Sequence, residues 1–261
     1  MSIPLFRVDA FANKLFEGNP AAVCPLQDWL PDETLRAIAA ENNLSETAFF
    51  VPKGDHYALR WFTPRCEVNL CGHATLAAAY VIFKVLGFGK TEIRFEIRSG
   101  PLLVRQEGEL LAMDFPSLPP WACDQPPAEL LEGLGTAPER VLQIKDNYFA
   151  VFRDEEQILD LRPNLTLLAK LHPAGVCATA PGKQADFVSR YFVPSFGIPE
   201  DPVTGSTHCS LTPYWAGRLG KQYLHARQLS ARGGELWCEQ AAERVILRGR
   251  AILYLTGSLT V

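Results

Sequence analysis

The sequence predicts a mixed α/β fold built from two similar lobes, because one segment of the chain occurs twice. The letters RWFTP at 60–64 return as RYFVP at 190–194, 130 positions later. Each copy is followed by a glycine that opens a largely apolar stretch, GHAT at 72–75 and GSTH at 205–208. Periods of roughly 20–50 residues indicate solenoids, whereas a repeat this long indicates a duplicated domain. We therefore expect a strand, a loop and the start of a helix in each lobe.

Prolines predict the boundary between the lobes. Three of them lie between 116 and 120, and clustered prolines stiffen an extended linker. We expect an N-terminal lobe over 1–117 and a C-terminal lobe over 118–249. More strands are predicted at the end of the second half than at the end of the first. We therefore expect the last one, within 250–261, to complete the N-terminal sheet.

The other elements follow from apolar periodicity and from turn residues. Strands are expected at 3–10, 46–51, 58–62, 91–97, 101–106 and 110–114, with 18–23 running from a turn into a strand. In the second half they are expected at 140–144, 148–153, 157–160, 174–179, 185–193, 226–231, 235–239, 244–249 and 251–256. Helices are predicted at 31–40, 72–86, 128–134, 164–171 and 205–217. The first has acidic residues in its first turn, which suits the helix dipole. The second is rich in alanine, leucine and valine without a breaker, which indicates a buried helix.

Composition restricts the class of protein. Of the 261 residues, 48% are hydrophobic and 21% are charged, which is ordinary for a soluble globular chain. A net charge of −4 offers no basic surface for nucleic acid or for an acidic membrane. The chain has no apolar run of transmembrane length and no signal-peptide pattern at its start, so we expect a cytoplasmic location. Seven cysteines without a C-x-x-C pair indicate neither a disulfide framework nor a zinc site.

The two predicted helix starts are candidate binding sites. A glycine at the start allows close approach of a ligand, and the first turn of a helix leaves backbone amides unpaired. Together with the helix dipole, those amides attract carboxylates and other anions. Gly72 and Gly205 would then hold a small acid from two sides. The alternative is that both glycines only allow tight turns, with His73 and Ser206 capping the helices.

Five motifs, taken together, resemble one family. They are GNPAAV at 18–23, NLSETAF at 43–49, FTP at 62–64, LCGHAT at 70–75 and EDPVTGS at 200–206. In this order they resemble the PhzF family of phenazine-biosynthesis-like isomerases, within the diaminopimelate epimerase superfamily, and the similarity extends over about 3–258. It implies two lobes, each a curled, mostly antiparallel sheet around a central helix, with the active site in the cleft between them.

The resemblance also implies a reaction and its residues. In the phenazine enzyme a glutamate moves a proton without cofactor or metal, and Glu46 matches it. The other functional positions match His73, Asp201 and Ser206. The expected ligand is a small carboxylate, and the only expected macromolecular partner is a second copy of the chain in a homodimer. The physiological substrate is left open.

The residues themselves agree with these roles. In a strand, Glu46 lies on the same face as Ala48 and Phe50, where desolvation disfavours its ionised form. The helix dipole disfavours a charged His73. Asp201 is an addition to the repeat, since Val68 stands at the equivalent place. The alternatives are a solvated Glu46, a capping or packing His73 and an Asp-Pro turn at Asp201.

Asn19 is predicted to line the cleft, and Ser206 to act through its backbone N–H. Packing roles are predicted for His208 and Cys209. A structural role is predicted for Arg190, because Arg60 stands at the equivalent position of the first repeat.

A rival chemistry involves thiols. The epimerases and racemases of the superfamily use two cysteines, one in each lobe, and Cys71 matches the first of them. A helix N-terminus would favour its thiolate. The repeat places Thr204 opposite, which disfavours a two-cysteine racemase. A mixed pair of Cys71 and Glu46 stays open, and so does a non-catalytic metabolite-binding protein of this fold.

Overall fold

The computed structural model describes residues 2–145 and 147–261. Its strands are β1 (Ser2–Ala10), β2 (Asn19–Pro25), β3 (Glu46–Lys53), β4 (His56–Phe62), β5 (Glu67–Val68), β6 (Glu92–Ile97), β7 (Gly100–Glu107), β8 (Leu110–Pro116), β9 (Trp121–Ala122), β10 (Arg140–Ile144), β11 (Asn147–Val151), β12 (Gly175–Pro181), β13 (Phe187–Val193), β14 (Ile198–Asp201), β15 (Tyr223–Gln228), β16 (Gly234–Ala241), β17 (Arg244–Gly249) and β18 (Ala251–Thr260). Its helices are α1 (Asp32–Asn42), α2 (Gly72–Tyr80), α3 (Ala128–Leu134), α4 (Glu155–Asp160), α5 (Leu165–Leu168) and α6 (Gly205–Leu219). A π-helical turn, Val81–Val85, continues α2. Among the described residues, no helix combines the length and apolar character that a membrane crossing requires.

The strand predicted at 157–160 is wrong, since these residues lie in α4. The Asp154 carboxylate accepts a hydrogen bond of 3.0 Å from the backbone N–H of Gln157 and so caps the helix. The Gln157 side chain in turn accepts one from the backbone N–H of Arg153. These local polar contacts stabilise the helix. The segment is too short for its apolar periodicity to distinguish a helix from a strand. The strand predicted at 226–231 is real but lies earlier, at Tyr223–Gln228.

The contacts divide the chain into two units, of which unit 1 comprises residues 2–115 and 246–261. Its strands pair in the order β18, β1, β2, β3, β4, β6, β7, β8, with β5 also on β4. The pairs β2–β3 and β4–β6 are parallel and the others are antiparallel. Helix α1 packs on β3 and β4, and α2 packs on β1, β2 and β3. Every residue from His73 to Ala79 is buried, so α2 is a central helix.

Unit 2 comprises the described residues of 116–245 and repeats this pattern. Its strands pair in the order β9, β10, β11, β12, β13, β15, β16, with β14 also on β13. The pairs β11–β12 and β13–β15 are parallel, at the places where unit 1 has its parallel pairs. Helix α4 packs on β12 and β13, and α6 packs on β15 and β16. This correspondence of pairings confirms the predicted fold of two similar α/β lobes.

A duplicated ion pair shows the equivalence at the level of side chains. Arg60 donates from Nε and Nη2 to the two carboxylate oxygens of Glu67, each at 2.8 Å. Arg190 donates in the same way to Glu200, at 2.8 and 2.9 Å. Such two-pronged contacts hold the loop after each strand in place. Both arginines therefore have the structural role predicted for Arg190.

Candidate active site

Glu46 is the first residue of β3, and strand geometry determines which way it faces. Phe49 and Val51 belong to the apolar cluster under α1. Alternation along the strand then directs Glu46, Ala48 and Phe50 to the opposite face, on which α2 packs. The carboxylate is partly desolvated there, with 15% of its side chain exposed.

Asn19 reaches the same place from β2. Gly18 before it has φ +69°, and a Cβ there would lie 2.2 Å from the backbone oxygen of Ala10, so only glycine fits. This turn sets Asn19 opposite Ala10 in the pairing of β1 with β2. The Asn19 side chain is fully buried, and its Nδ2 lies 3.2 Å from Nδ1 of His73.

His73 connects these residues. It is the second residue of α2, and its Nε2 lies 3.2 Å from Oε2 of Glu46. Burial lowers the pKa of His73 to about 3, so the imidazole is neutral at pH 7. Because the Asn19 amide nitrogen can only donate, Nδ1 accepts from it and the ring proton is on Nε2, given the amide orientation assigned here. The proton-bearing nitrogen is thus the one beside the Glu46 carboxylate.

Cys71 completes the cluster in unit 1. It is the N-cap residue of α2, immediately before the half-buried Gly72, and its own side chain is buried. Its Sγ lies 3.5 Å from Nδ1 of His73. One ligating atom each from Glu46, Cys71 and His73 can be chosen so that all lie within 4.8 Å of one another. These three residues could hold a metal ion, although the cysteine spacings indicate no zinc site.

In unit 2, Asp201 is held by a buried polar network. The Thr204 hydroxyl donates a short hydrogen bond to the Asp201 carboxylate. Gln228, fully buried on β15, accepts from the backbone N–H of Thr204 at 2.9 Å. It donates to the backbone oxygen of Asp201 at 2.8 Å and to the Thr204 hydroxyl at 3.2 Å. We call Asp201, Thr204 and Gln228 the Asp201 network.

Gln228 is not among the residues predicted from the sequence, although the repeat contains a signal for it. Strands β4 and β6 pair in the same register as β13 and β15. That register makes Val68, Cys71 and Ile97 the unit 1 equivalents of the Asp201 network. A glutamine where the other half has isoleucine therefore marks the polar site of unit 2.

Ser206, predicted to act through its backbone N–H, lies in the first turn of α6. Ser206 is exposed, whereas Gly205 before it is buried. His208 donates from Nδ1 to the backbone oxygen of Thr204 at 2.7 Å, and burial lowers the pKa of His208 to about 4. The Cys209 thiol donates to the Gly205 oxygen at 3.8 Å, and burial raises the pKa of Cys209 to about 12. The helix backbone thus engages both side chains, as expected of packing residues.

The structure therefore brings together two groups of the sequence-predicted residues. Glu46 and His73 lie with the predicted binding residues Asn19, Cys71 and Gly72 in unit 1. Asp201 lies with Gly205 and Ser206 at the start of α6 in unit 2. That the two groups share one cleft stays a prediction.

Comparisons with known proteins agree with the duplicated fold. The family model described as phenazine biosynthesis-like protein matches residues 8–257. An uncharacterized isomerase of Pseudomonas aeruginosa is 54% identical over 259 residues, which are 99% of each chain. A crystal structure of a phenazine biosynthesis protein of the PhzF family from Enterococcus faecalis covers 100% of both chains at 45% identity and TM-score 0.96.

A more distant neighbour shows the fold alone. A probable proline racemase from Agrobacterium radiobacter superposes with TM-score 0.62 at 12% identity, over 99% of this chain and 93% of its own. The predicted isomerase class is confirmed by the names of the close relatives. On the match over 8–257 and these identities, the chain belongs to the family of phenazine biosynthesis-like proteins.

Proposed function

We propose that this enzyme is a cofactor-independent isomerase that moves a proton on a small cyclic or amino-acid-like carboxylic acid, with Glu46 as general acid and base. The observation that carries the proposal is the contact of 3.2 Å between Oε2 of Glu46 and Nε2 of a neutral, buried His73. The coarser statement, an isomerase acting on a small molecule, is supported by the names of its relatives.

The proposed reaction is a proton transfer in two steps. The Glu46 carboxylate takes a proton from one carbon of the substrate, and the electron pair of that C–H bond delocalises into the substrate. The resulting carboxylic acid then returns the proton to a different carbon, so the net change is the position of one hydrogen. Transfer in both directions is fastest when the proton affinity of the base is close to that of its reaction partner.

The neutral imidazole has a defined part in this reaction. Its Nε2–H dipole lies 3.2 Å from Oε2 of Glu46 and favours the carboxylate form electrostatically before the proton is taken. Because burial holds the pKa of His73 near 3, the ring does not accept the proton from Glu46 afterwards. The proton is therefore held on Glu46, whose side chain is 15% exposed, so it exchanges with solvent in part before a proton returns to the substrate. Asn19 keeps the ring in the tautomer that this requires.

Substrate binding is the less direct part of the proposal. We propose that the substrate carboxylate binds to first-turn amides of α6, where Gly205 and the exposed Ser206 lie, since helix N-termini attract anions. Asp201, oriented by Thr204 and Gln228, would then face a second polar group of the substrate. This places the substrate in the cleft between the lobes that the sequence predicts. The homodimer and the cytoplasmic location stay predictions.

The second candidate function is a racemase or epimerase assisted by Cys71. Its support is the position of the thiol at the start of α2, 3.5 Å from His73 Nδ1. A two-thiol mechanism is disfavoured, because the equivalent residue in unit 2 is Thr204, whose hydroxyl is bonded to Asp201. The nearby Cys209 is buried, with a pKa raised to about 12. The racemase mechanism that stays open uses Cys71 together with Glu46.

A ligand screen followed by isotope exchange tests the proposal. Small cyclic and amino-acid-like carboxylic acids are first screened for an increase in the unfolding temperature of the protein, as expected for ligands of the folded state. Each hit is then incubated with the enzyme in deuterium oxide and examined by proton NMR. The proposal predicts deuterium at a carbon together with a shifted double bond or hydrogen. Binding without any exchange would indicate a non-catalytic metabolite-binding protein.

A further inference from the structure

We propose that Glu46, Cys71 and His73 form a binding site for a thiophilic divalent cation such as Zn²⁺, and that the bound ion inhibits the enzyme. We call these residues the Glu-Cys-His triad. The binding part stands on the geometry of unit 1 alone, whereas the inhibition rests on the proposed function. The sequence alone predicts no metal, because a glutamate on β3 and two residues at the start of α2 have no spacing pattern that would indicate a site.

The three side chains lie close enough together for a small tetrahedral site. Ligand atoms on one Zn²⁺ lie roughly 3.3–3.8 Å apart, because the bonds measure about 2.0–2.3 Å. In the structure, Sγ of Cys71 lies 3.5 Å from Nδ1 of His73, and Oε2 of Glu46 lies 3.2 Å from Nε2. One ion takes only one of these nitrogens, so the side chain beside the other nitrogen must rotate toward the ion. One ligating atom from each residue lies within 4.8 Å of the others, which keeps that rotation within the cluster.

The ligand types select the ion. A thiolate, an imidazole and a carboxylate suit Zn²⁺ and Co²⁺, whereas Mg²⁺ and Ca²⁺ require oxygen ligands. Three protein ligands leave a fourth position for water, as in catalytic zinc sites. On binding, the S–H bond of Cys71 breaks, its proton goes to solvent and the sulfur electron pair forms the bond to zinc. His73 binds as a neutral imidazole that keeps one ring N–H, and Glu46 binds as a carboxylate.

The scaffold around the triad suits a metal. Cys71 and His73 belong to the start of the buried helix α2, which packs on β3. Metal-bound histidines generally donate their other ring N–H to an oxygen, which orients the ring. If zinc takes Nε2, beside Glu46, then Nδ1 carries that proton. Nδ2 of Asn19 lies 3.2 Å from Nδ1 of His73. A flip of the amide group would place the Asn19 oxygen there, where it can accept this proton.

Zinc would inhibit the enzyme because it binds the Glu46 carboxylate that acts as the base in the proposed reaction. A carboxylate bound to zinc has lost the electron pair with which it would take a proton from the substrate. Zinc would therefore stop the reaction in which Glu46 is the base. Excess chelator would restore it, because the site involves no covalent change other than the loss of the thiol proton.

The experiment is a cobalt titration of the purified, chelator-treated protein. Binding at the triad predicts one equivalent of Co²⁺, a thiolate-to-metal absorption band and the visible bands of a tetrahedral ion, all displaced by one equivalent of Zn²⁺. Cys71→Ser should lose the thiolate band, and Glu46→Gln should bind at least tenfold more weakly. Cys66→Ser is the matched control, since Cys66 is an exposed thiol of the same unit, and it should bind like the wild type.

Each outcome decides one part of the proposal. No thiolate band in the wild type, or a band that persists in folded Cys71→Ser, would overturn the site. Should Cys71→Ser not fold, undiminished binding by Glu46→Gln would overturn it equally. Turnover that persists with zinc bound at one equivalent would refute the inhibition. Binding of zinc by a protein that exchanges no substrate proton would leave the site intact and refute the proposed isomerase.

Discussion

Replacing Gln228 by leucine tests whether the Asp201 network holds unit 2 together at the proposed substrate site. The side chain is fully buried and makes hydrogen bonds to the backbone N–H of Thr204, the backbone oxygen of Asp201 and the Thr204 hydroxyl. Leucine has a similar volume, so Gln228→Leu removes these hydrogen bonds with little change in packing. The backbone N–H of Thr204 and the backbone oxygen of Asp201 then lose their contacts to residue 228.

The magnitude follows from those backbone groups. A buried donor or acceptor that loses its partner costs about 1–3 kcal/mol. With the two groups together, and with some access of water at Asp201, which is 9% exposed, we expect the free energy of unfolding to fall by about 3 kcal/mol. For a chain of this size that corresponds to a decrease in Tm of roughly 6–12 °C. Because Asp201 also loses its orientation, turnover should fall as well.

The assay is urea denaturation followed by tryptophan fluorescence and circular dichroism. The matched control is Gln222→Leu, which makes the same change at an exposed position just before β15 and should alter stability by less than about 0.5 kcal/mol. A loss in Gln228→Leu no larger than that of the control would refute the reasoning. It would mean that water or a shifted backbone replaces the hydrogen bonds of the glutamine without cost.

Three other predictions use the same kinds of measurement. Cys71→Ser should keep substantial isomerase activity, and a loss above about 100-fold, or about 2.7 kcal/mol, would favour thiol chemistry instead. His208 has its pKa lowered from 6.5 to about 4 by burial. The unfolded state therefore binds the additional proton in that window, and the contribution of His208 to the free energy of unfolding should fall by about 3 kcal/mol as the pH drops from 6.5 to 4. Denaturation of His208→Asn at both pH values should show a smaller decrease, and an equal one would contradict the assignment. Arg190→Met should cost about 1 kcal/mol more than Arg60→Met in urea denaturation. Arg190 also donates to the backbone oxygens of Ile158 and Leu161, whereas the additional partner of Arg60 is the carboxylate of Asp32, whose side chain is 63% exposed; equal costs would contradict this.

Much of the fold could be predicted because the chain contains an internal sequence repeat, so each half can be compared with the other. The repeated arginine, glutamate and glycine predict the same strand, loop and helix twice, and the structure has them with the same pairings. The return of the last strand to β1 follows from the unequal number of predicted strands. Helix α4 could not be predicted in this way, since its cap depends on contacts of Asp154 and Gln157 rather than on periodicity.

The candidate residues of the site could be named from the sequence, but their contacts in space could not be predicted from it. The motifs indicate Glu46, His73 and Asn19, and the face of β3 that carries Glu46 follows from alternation. The contact between Glu46 and His73 and the tautomer set by Asn19 depend on how α2 packs on β2 and β3. Sequence spacing contains no information on that packing, which is also why the proximity of the Glu-Cys-His triad was not expected.

The central claim is that Glu46 carries the proton. Glu46→Gln keeps the shape of the side chain and can still contact His73, but it has no carboxylate that could take a proton. This variant should bind a ligand found by the screen about as tightly as the wild type, while deuterium incorporation into the bound ligand falls by at least about 1,000-fold, or about 4 kcal/mol. The control is Glu41→Gln, an exposed glutamate of α1, which should exchange at the wild-type rate. Exchange in folded Glu46→Gln at the rate of the control would contradict the account.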